Sequence, residues 1–442
     1  MKRREFIKMA AAAPFVANGS AQEAPAKTTF EQFLRESAVS REVIDRFLHG
    51  PSWAQFDPEL GYRLWNYVPF DGMDGSATIS TVQANGTRTS FMYAGAKCRI
   101  NVYGDSFTQC YQVSDGETWE QHLAAHLGEP IRNFGMGGYG VYQAYRQMLR
   151  EERTDHGAEY LIVYLWGDDH IRSLLRCRHA ITNRVWNHYG GRMFHGNFWP
   201  HLEMDLETGT LMEKENLLST PSALYSMTDP QFIVDHLKDD LALQLYAYKL
   251  GYIGDLDHER TRKLAARLNY PLDLGQESTR NRQVDELLVR YSLGATQLIL
   301  EKAREFSRQT KKKLLVFLFD PYGAMAEMQK NGTHYDQAIV DYLDKEKFDY
   351  FDMNVVHLRE FKNYNMPFDE YMKLYFIGHY NPHGNHFFAY SVKDTVVKWL
   401  DPKPVTYSKP NPDSIDFKGH LMGYHWGEGL ARCGRAAAAC ID

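Results

Sequence analysis

A glycine, a carboxylate and a hydroxyl follow the first buried strand that the sequence predicts. The segment RINVYGDSFTQC at 99–110 is apolar and β-branched until it reaches Gly104, Asp105 and Ser106. These residue types are common in turns, so a solvated turn is the simplest interpretation. The other interpretation is that Ser106 is a nucleophile at the carboxyl end of a strand in a parallel sheet, where ligands usually bind.

Three more polar segments lie next to predicted elements. NFGMGGYG at 133–140 follows the second strand, WGDDH at 166–170 follows the third, and GHYNPHGNH at 378–386 precedes the last helix. Acyl transfer needs a nucleophile, a base and N–H donors that stabilise the charge developing on a carbonyl oxygen. The four segments supply candidates for each part, which favours Ser106 as a nucleophile.

In this order, the four segments resemble the SGNH or GDSL-type hydrolase superfamily. That family has a GDS serine, an N-x-G-x-x-G loop, a G-N-D segment and a late histidine before N-P-x-G. The resemblance covers about 97–170 and 312–400. It implies an acyl-enzyme mechanism that needs neither a cofactor nor a metal.

The resemblance also implies a role for each matching residue. Ser106 is the nucleophile, and His379 is the base that takes its proton and returns it to the leaving group. The oxyanion hole consists of Ser106, Gly138 and Asp168, with the backbone N–H groups of the first two as donors. Glycines in the second segment let these N–H groups approach a substrate closely, because they have no Cβ.

Asp168 departs from the family pattern, which has asparagine at this position. An amide NH₂ donates to an oxyanion, whereas an ionised carboxylate repels it. Asp168 could be protonated, could bind another donor, or could leave the hole incomplete. His170 or Arg172 could supply the missing donor.

A second departure concerns the acid that orients the histidine. The family has an aspartate two or three residues before the histidine, where this chain has Ile377 and Phe376. The possible orienting acid is Asp369, and a Ser-His dyad held by a backbone carbonyl is another outcome. Further candidates are Glu370 and Asp320.

A histidine cluster offers an alternative chemistry. His379, His383 and His386 are spaced at i, i+4 and i+7, which would place them on one face of a helix and could suggest metal ligands. However, Asn381 precedes Pro382, and a residue before proline avoids the helical region. We therefore predict no metal here.

The elements around these segments alternate between continuous apolar strands and helices from residue 97 onward. This pattern predicts an α/β fold with a central parallel sheet covered on both faces, a three-layer α/β/α arrangement of the flavodoxin-like type that SGNH hydrolases have. The predicted organisation is an export signal at 1–21, an N-terminal extension at 22–96, the hydrolase domain at 97–400 with an inserted subdomain at about 173–288, and a C-terminal tail at 401–442.

The predicted insertion contains several aromatic residues that could stack on a sugar ring or could form the core of the insertion itself. They are Trp186, Tyr189, Phe194, Phe198 and Trp199.

The N-terminus resembles a twin-arginine export signal. Arg3 and Arg4 precede a short, weakly apolar stretch and then small residues, so the translocon is an expected partner and the mature protein is expected to be periplasmic or secreted. The apolar run is too short for a permanent membrane span, and no stable membrane insertion is expected. A net charge of −6 gives no reason to expect a nucleic-acid partner. Five cysteines, an odd number, indicate neither a disulfide scaffold nor a zinc site.

We therefore predict an exported serine esterase that hydrolyses an O-acyl ester, foremost an O-acetyl ester, on a carbohydrate or cell-envelope glycan. The alternatives are an O-acetyltransferase that passes the acyl group to a sugar hydroxyl, and a non-catalytic glycan-binding protein on the same scaffold. A metal-dependent hydrolase is the last alternative.

Overall fold

The computed structural model describes residues 28–181 and 198–408. The predicted export signal, most of the predicted C-terminal tail, and Cys433 and Cys440 lie outside these ranges. Within them, no helix is long and apolar enough to cross a membrane. The three cysteines in the described ranges are buried: Cys98, Cys110 and Cys177.

An N-terminal segment precedes the sheet and contains two helices and an antiparallel hairpin: α1 (Phe30–Arg35), α2 (Arg41–His49), β1 (Ala54–Asp57) and β2 (Gly61–Leu64). Residues 65–96 form loops with isolated bridges such as the one between Tyr67 and Ser80.

The chain then alternates between strands and helices. The first part contains β3 (Ile100–Tyr103), α3 (Ser106–Gln109), α4 (Trp119–Leu127), β4 (Ile131–Asn133), α5 (Val141–Glu151), β5 (Tyr160–Leu165) and α6 (Asp169–Arg172). The middle part contains β6 (His201–Met204), β7 (Leu211–Lys214), α7 (Pro230–Leu237), α8 (Leu241–Lys249), α9 (His258–Arg267) and α10 (Glu277–Gln309). The last part contains β8 (Lys313–Leu318), α11 (Ala324–Asn331), α12 (Gln337–Lys345), β9 (Asp349–Asp352), α13 (Met353–Phe361), α14 (Phe368–Tyr375) and α15 (Pro382–Trp399).

Five of the strands form one parallel sheet in the order β4-β3-β5-β8-β9. In chain order of the sheet strands this is 2-1-3-4-5, an order found in doubly wound folds. Tyr103 pairs with Val163, and Leu165 pairs with Leu318, so the carboxyl ends of the three central strands lie at one edge. The order reverses between β3 and β5, where such sheets form a crevice for ligands.

The sheet is covered by helices on both faces. In β5, Leu161, Val163 and Leu165 pack in the same core as side chains of α5 and α10. The alternate residues Tyr160, Ile162 and Tyr164 pack with side chains of α4 and α15. A strand that is apolar on both faces must be covered twice. The predicted α/β class and the parallel central sheet are therefore confirmed.

The region predicted as an insertion packs against the N-terminal segment. The Val39 N–H donates to the Met227 carbonyl at 3.0 Å, and Thr28 forms a parallel bridge with Ile253. The predicted end of the insertion at about 288 falls inside α10, a continuous helix of 33 residues that runs on to cover the sheet. Phe198 and Trp199 are fully buried, so they belong to the core rather than to a stacking surface. The other aromatic candidates, Trp186, Tyr189 and Phe194, lie outside the described residues.

Candidate active site

Ser106 is the first residue of α3, and Gly104 and Asp105 connect it to the end of β3. Asp105 caps this helix, and its Oδ1 accepts the Phe107 N–H at 2.9 Å. A Cβ at Gly104 would lie 2.2 Å from Thr108 Oγ1, so a side chain at 104 would collide with the helix turn. This tight turn leaves Ser106 half-buried while its neighbours are buried. The three turn residues therefore present one hydroxyl at the carboxyl edge of the sheet.

His379 meets this hydroxyl from the far end of the chain. Its Nε2 lies 2.7 Å from Ser106 Oγ. The turn that carries His379 is held by Asn381, which caps α15 by accepting the Gly384 N–H at 2.8 Å, and Pro382 is the first residue of that helix. The imidazole ring packs against Phe107, with ring centroids 4.8 Å apart.

Gln112 contacts the second ring nitrogen of His379, Nδ1. Its Oε1 accepts the His379 backbone N–H at 2.8 Å and lies 3.2 Å from His379 Nδ1. Its Nε2 donates to the Asp71 carbonyl at 3.0 Å. A backbone N–H only donates, so the atom facing His379 is the amide oxygen. Nδ1 must then carry the proton, and Nε2 is left to accept the hydrogen of Ser106.

The pKa of His379 is lowered to about 3, first by burial and second by the positive charge of Arg172. Burial disfavours the charged imidazolium, and a nearby cation disfavours it further. His379 is therefore neutral at ordinary pH, which is the form that can accept a proton from Ser106.

The acids considered for orienting His379 lie elsewhere. Asp369 is exposed in the first turn of α14, and Glu370 pairs with Lys373 at 2.5 Å. Asp320 accepts the N–H groups of Tyr322 and Gly323 at 3.0 and 2.8 Å. The structure thus puts Gln112, rather than Asp369, against Nδ1. No sequence motif marks Gln112, because it is brought to His379 only by folding.

Arg88 of the N-terminal segment holds the loop that carries Gln112. Cys110 and Gln112 both have left-handed backbone angles, with φ of 57° and 76°, which residues other than glycine rarely adopt. The buried Arg88 guanidinium donates to the Gln109 and Cys110 carbonyls at 2.5 and 2.7 Å and also to the Val113 carbonyl. These three bonds stabilise the strained loop.

Gly138 lies in the loop after β4. Its φ is 84°, a conformation that favours glycine. The loop is fixed by Tyr62, whose hydroxyl donates to the Gly137 carbonyl at 3.0 Å. Among residues 28–181 and 198–408, no protein group accepts the backbone N–H of Ser106 or Gly138. Both N–H groups are therefore donors without an acceptor in the described part of the chain.

Asp168 has 36% of its side chain exposed. Its carboxylate is 3.6 Å from Arg172 Nη2, and Arg172 Nη1 donates to Asp169 at 3.0 Å and to the Tyr139 carbonyl at 3.3 Å. Arg172 therefore lies beside the loop of Gly138. His170 is directed away, with its Nδ1 2.8 Å from Thr296 Oγ1. Of the two donors considered for the hole, Arg172 is the one near it.

The three spaced histidines face different neighbours. His379 faces Ser106, the His383 ring packs on Tyr375 at 5.0 Å, and the His386 ring packs on His122 at 5.2 Å. Pro382 starts α15, so His379 lies outside the helix that carries the other two. Within the described part of the chain, no group of three or more His, Cys, Asp or Glu residues could hold a metal ion.

The comparisons with known proteins do not assign the chain to a family. No family model matches the chain, and no curated protein sequence matches it.

The acid limit of Ser106 reactivity is predicted to lie below about pH 5. His379 must be neutral to accept a proton, and a pKa of about 3 keeps it neutral through most of the acidic range. The rate of labelling by a fluorophosphonate, measured against pH, tests this. Burial raises the pKa of the adjacent Asp105 to about 6, so an Asp105→Asn variant is measured in parallel. An inflection near about pH 6.5, the usual pKa of histidine, that persists in this variant would contradict the prediction.

Proposed function

We propose that this protein is an exported serine esterase of the SGNH type that hydrolyses O-acyl esters, foremost O-acetyl esters, on a carbohydrate or cell-envelope glycan. The observation that carries the proposal is the 2.7 Å contact between Ser106 Oγ and His379 Nε2, with Nδ1 of the same ring held by an acceptor. A hydroxyl is a weak nucleophile until a positioned base takes its proton. The backbone N–H groups of Ser106 and Gly138, which have no acceptor in the described part of the chain, support the same reaction.

The proposed reaction proceeds through an acyl-enzyme. Ser106 Oγ attacks the ester carbonyl carbon while its proton moves to His379 Nε2. The carbonyl π electrons move to the oxygen, which binds to the N–H groups of Ser106 and Gly138. The bond to the alcohol oxygen then breaks, and that oxygen takes the proton from His379. Water attacks the acyl-enzyme with His379 as base, which releases the carboxylic acid and restores Ser106.

The surface near the site supports a substrate with apolar ring faces. Eight of the thirteen exposed large hydrophobic residues in the described chain lie between 65 and 93: Trp65, Val68, Phe70, Met73, Ile79, Phe91, Met92 and Tyr93. Asp71, between two of them, accepts the hydrogen bond from Gln112. The segment that carries Phe70 and Met73 is therefore linked to His379 through the Gln112 side chain. Aromatic side chains in such a position can stack on the C–H faces of sugar rings.

Replacement of Ser106 by alanine is predicted to abolish labelling by a fluorophosphonate and to lower kcat for p-nitrophenyl acetate by at least about 10³-fold, because the nucleophile is lost. Ser222→Ala, in an exposed part of the chain, is the matched control. Mass spectrometry locates the label, and circular dichroism shows whether each variant folds.

Two other outcomes favour the alternatives. A folded wild-type protein that is not labelled but binds an acetylated glycan favours a binding protein without catalysis. Transfer of the acyl group to an added oligosaccharide faster than to water favours an acetyltransferase.

The variant Asp168→Asn is predicted to hydrolyse p-nitrophenyl acetate as fast as the wild type or faster. The amide adds a donor where the carboxylate adds a negative charge, and one donor of this kind is worth about 10²- to 10³-fold in rate. Asp168→Ala, which removes the charge without adding a donor, separates the two effects. A large fall in kcat for both variants would show that the carboxylate itself takes part in the reaction.

Removal of the Phe70 ring is predicted to raise KM for an acetylated polysaccharide about tenfold, without changing kcat/KM for p-nitrophenyl acetate. Phe70 is 81% exposed and adjoins Asp71, and covering a phenyl ring is worth about 1.5–3 kcal/mol. Tyr390→Ala removes an exposed aromatic ring of α15 and is the matched control. Equal effects of Phe70→Ala and Tyr390→Ala on the polysaccharide would rule out this binding surface.

A further inference from the structure

We propose that Gln112 is a positioning residue of the reaction, a neutral amide that orients His379 in place of a carboxylate. The inference rests on the proposed function, since it concerns the same histidine. It goes beyond that function in assigning the third member of the catalytic arrangement and in making the N-terminal segment part of the catalytic apparatus.

The contacts of Gln112 leave its amide one orientation. Oε1 accepts the His379 backbone N–H at 2.8 Å and lies within reach of the ring Nδ1 at 3.2 Å, while Nε2 donates to the Asp71 carbonyl at 3.0 Å. A flipped amide would set an NH₂ group against a backbone N–H and an oxygen against a carbonyl. Both contacts would be repulsive in a side chain that is only 4% exposed. The amide oxygen is therefore fixed on the imidazole.

The backbone of Gln112 is fixed as firmly as its side chain. Its φ is 76°, and Arg88 fixes this loop by donating to the Cys110 and Val113 carbonyls on either side of Gln112. A residue kept in a rarely populated conformation at a candidate active site points to a role that requires it. Both supports, Arg88 and the Asp71 carbonyl, belong to the N-terminal segment.

The amide offers the acceptor geometry of a carboxylate without its negative charge. The groups around the imidazole are Ser106, Gln112, Phe107, Tyr111 and Arg172. Two carboxyl groups lie behind these: Asp105 caps α3, and Asp71 Oδ1 accepts the Thr78 hydroxyl at 2.8 Å.

The charged group among these neighbours is Arg172, which lowers the pKa of His379. The Asp105 carboxyl lies one contact further away, with its Oδ2 3.4 Å from Ser106 Oγ. The amide selects the tautomer that can accept the serine proton, but it does not stabilise an imidazolium by charge. Because no negative charge stabilises the imidazolium at Nδ1, a low pKa of His379 is expected.

Two substitutions of Gln112 separate orientation from charge. Gln112→Ala removes the acceptor, and kcat for p-nitrophenyl acetate is predicted to fall about 10²-fold with little change in KM, since a positioned base contributes about 10²- to 10⁴-fold. Gln112→Glu keeps an acceptor and adds a negative charge. It loses the hydrogen bond to the Asp71 carbonyl, but it is predicted to keep a higher kcat than Gln112→Ala above about pH 7 and to move the acid limit of activity upward by about one pH unit or more.

The matched control is Gln121→Ala. Gln121 is also a buried glutamine whose Oε1 accepts two backbone N–H groups of the N-terminal segment, those of Phe91 and Met92. It touches neither Ser106 nor His379, so its loss is predicted to leave the pH profile unchanged. A merely structural role of Gln112 would give the same result as this control.

Nitrogen-15 NMR of histidine-labelled protein provides a readout that does not depend on activity. In the wild type, His379 is predicted to carry its proton on Nδ1, and Gln112→Ala is predicted to show a mixture of tautomers. If wild-type Ser106 is not labelled by a fluorophosphonate, the esterase proposal fails while the spectrum still tests the contact with Gln112. If Ser106 is labelled but both variants keep the wild-type rate and pH profile, the role of Gln112 is overturned. If Gln112→Ala does not fold, Gln112→Glu and the wild-type spectrum decide, and an Nε2 proton in the wild type overturns the role.

Discussion

The 2.7 Å hydrogen bond between Ser106 and His379 joins two residues that are 273 positions apart, so it depends on how the fold brings distant elements together. Ser106 is fixed by the end of β3, at the point where the strand order reverses. His379 is fixed by the start of α15, and α15 is fixed on α4 by the Asn385 side chain, which accepts the Trp119 N–H at 3.1 Å. Helix α4 packs in the same core as Ile100 and Val102 of β3, on one face of the sheet. The distance between hydroxyl and imidazole is therefore set by the packing of that face.

The N-terminal segment completes this arrangement from the other side. Arg88 binds carbonyl groups of the loop after Ser106, and Tyr62 exchanges hydrogen bonds with the loop after β4: its hydroxyl donates to Gly137, and the Tyr139 hydroxyl donates to its carbonyl at 2.6 Å. Buried carbonyl groups without a donor destabilise a fold by about 1–3 kcal/mol each. Neither loop satisfies these groups alone, so residues 28–96 are part of the site although they lie outside the alternating α/β core.

The sequence predicted the parts of the site that lie at strand ends. Continuous apolar strands alternating with helices are enough to predict a parallel sheet, and a parallel sheet puts the segments after its strands at one edge. This pattern predicts Ser106, Gly138 and Asp168 at that edge. His379 is predicted from the family resemblance instead, and the structure puts it in contact with Ser106. Gln112 could not be found in this way, because its position depends on two left-handed residues and a buried arginine from a different segment. The same limit applies to Phe198 and Trp199. Their composition suited both a stacking surface and a core, and only their packing shows that they are core residues.

The two departures from the resembled hydrolase pattern have opposite electrostatic effects. Where that pattern has a neutral amide in the oxyanion hole, this chain has Asp168, and where it has a carboxylate on the histidine, this chain has the neutral Gln112. A carboxylate at Nδ1 would stabilise the imidazolium, and its absence leaves Arg172 to act on His379 unopposed from that side. Asp168, 3.6 Å from Arg172, then lies where it can offset part of that positive charge. A change of charge at position 112 or at position 168 therefore alters the same electrostatic environment of His379 and Arg172. The effects of substitutions at these two positions should not be additive.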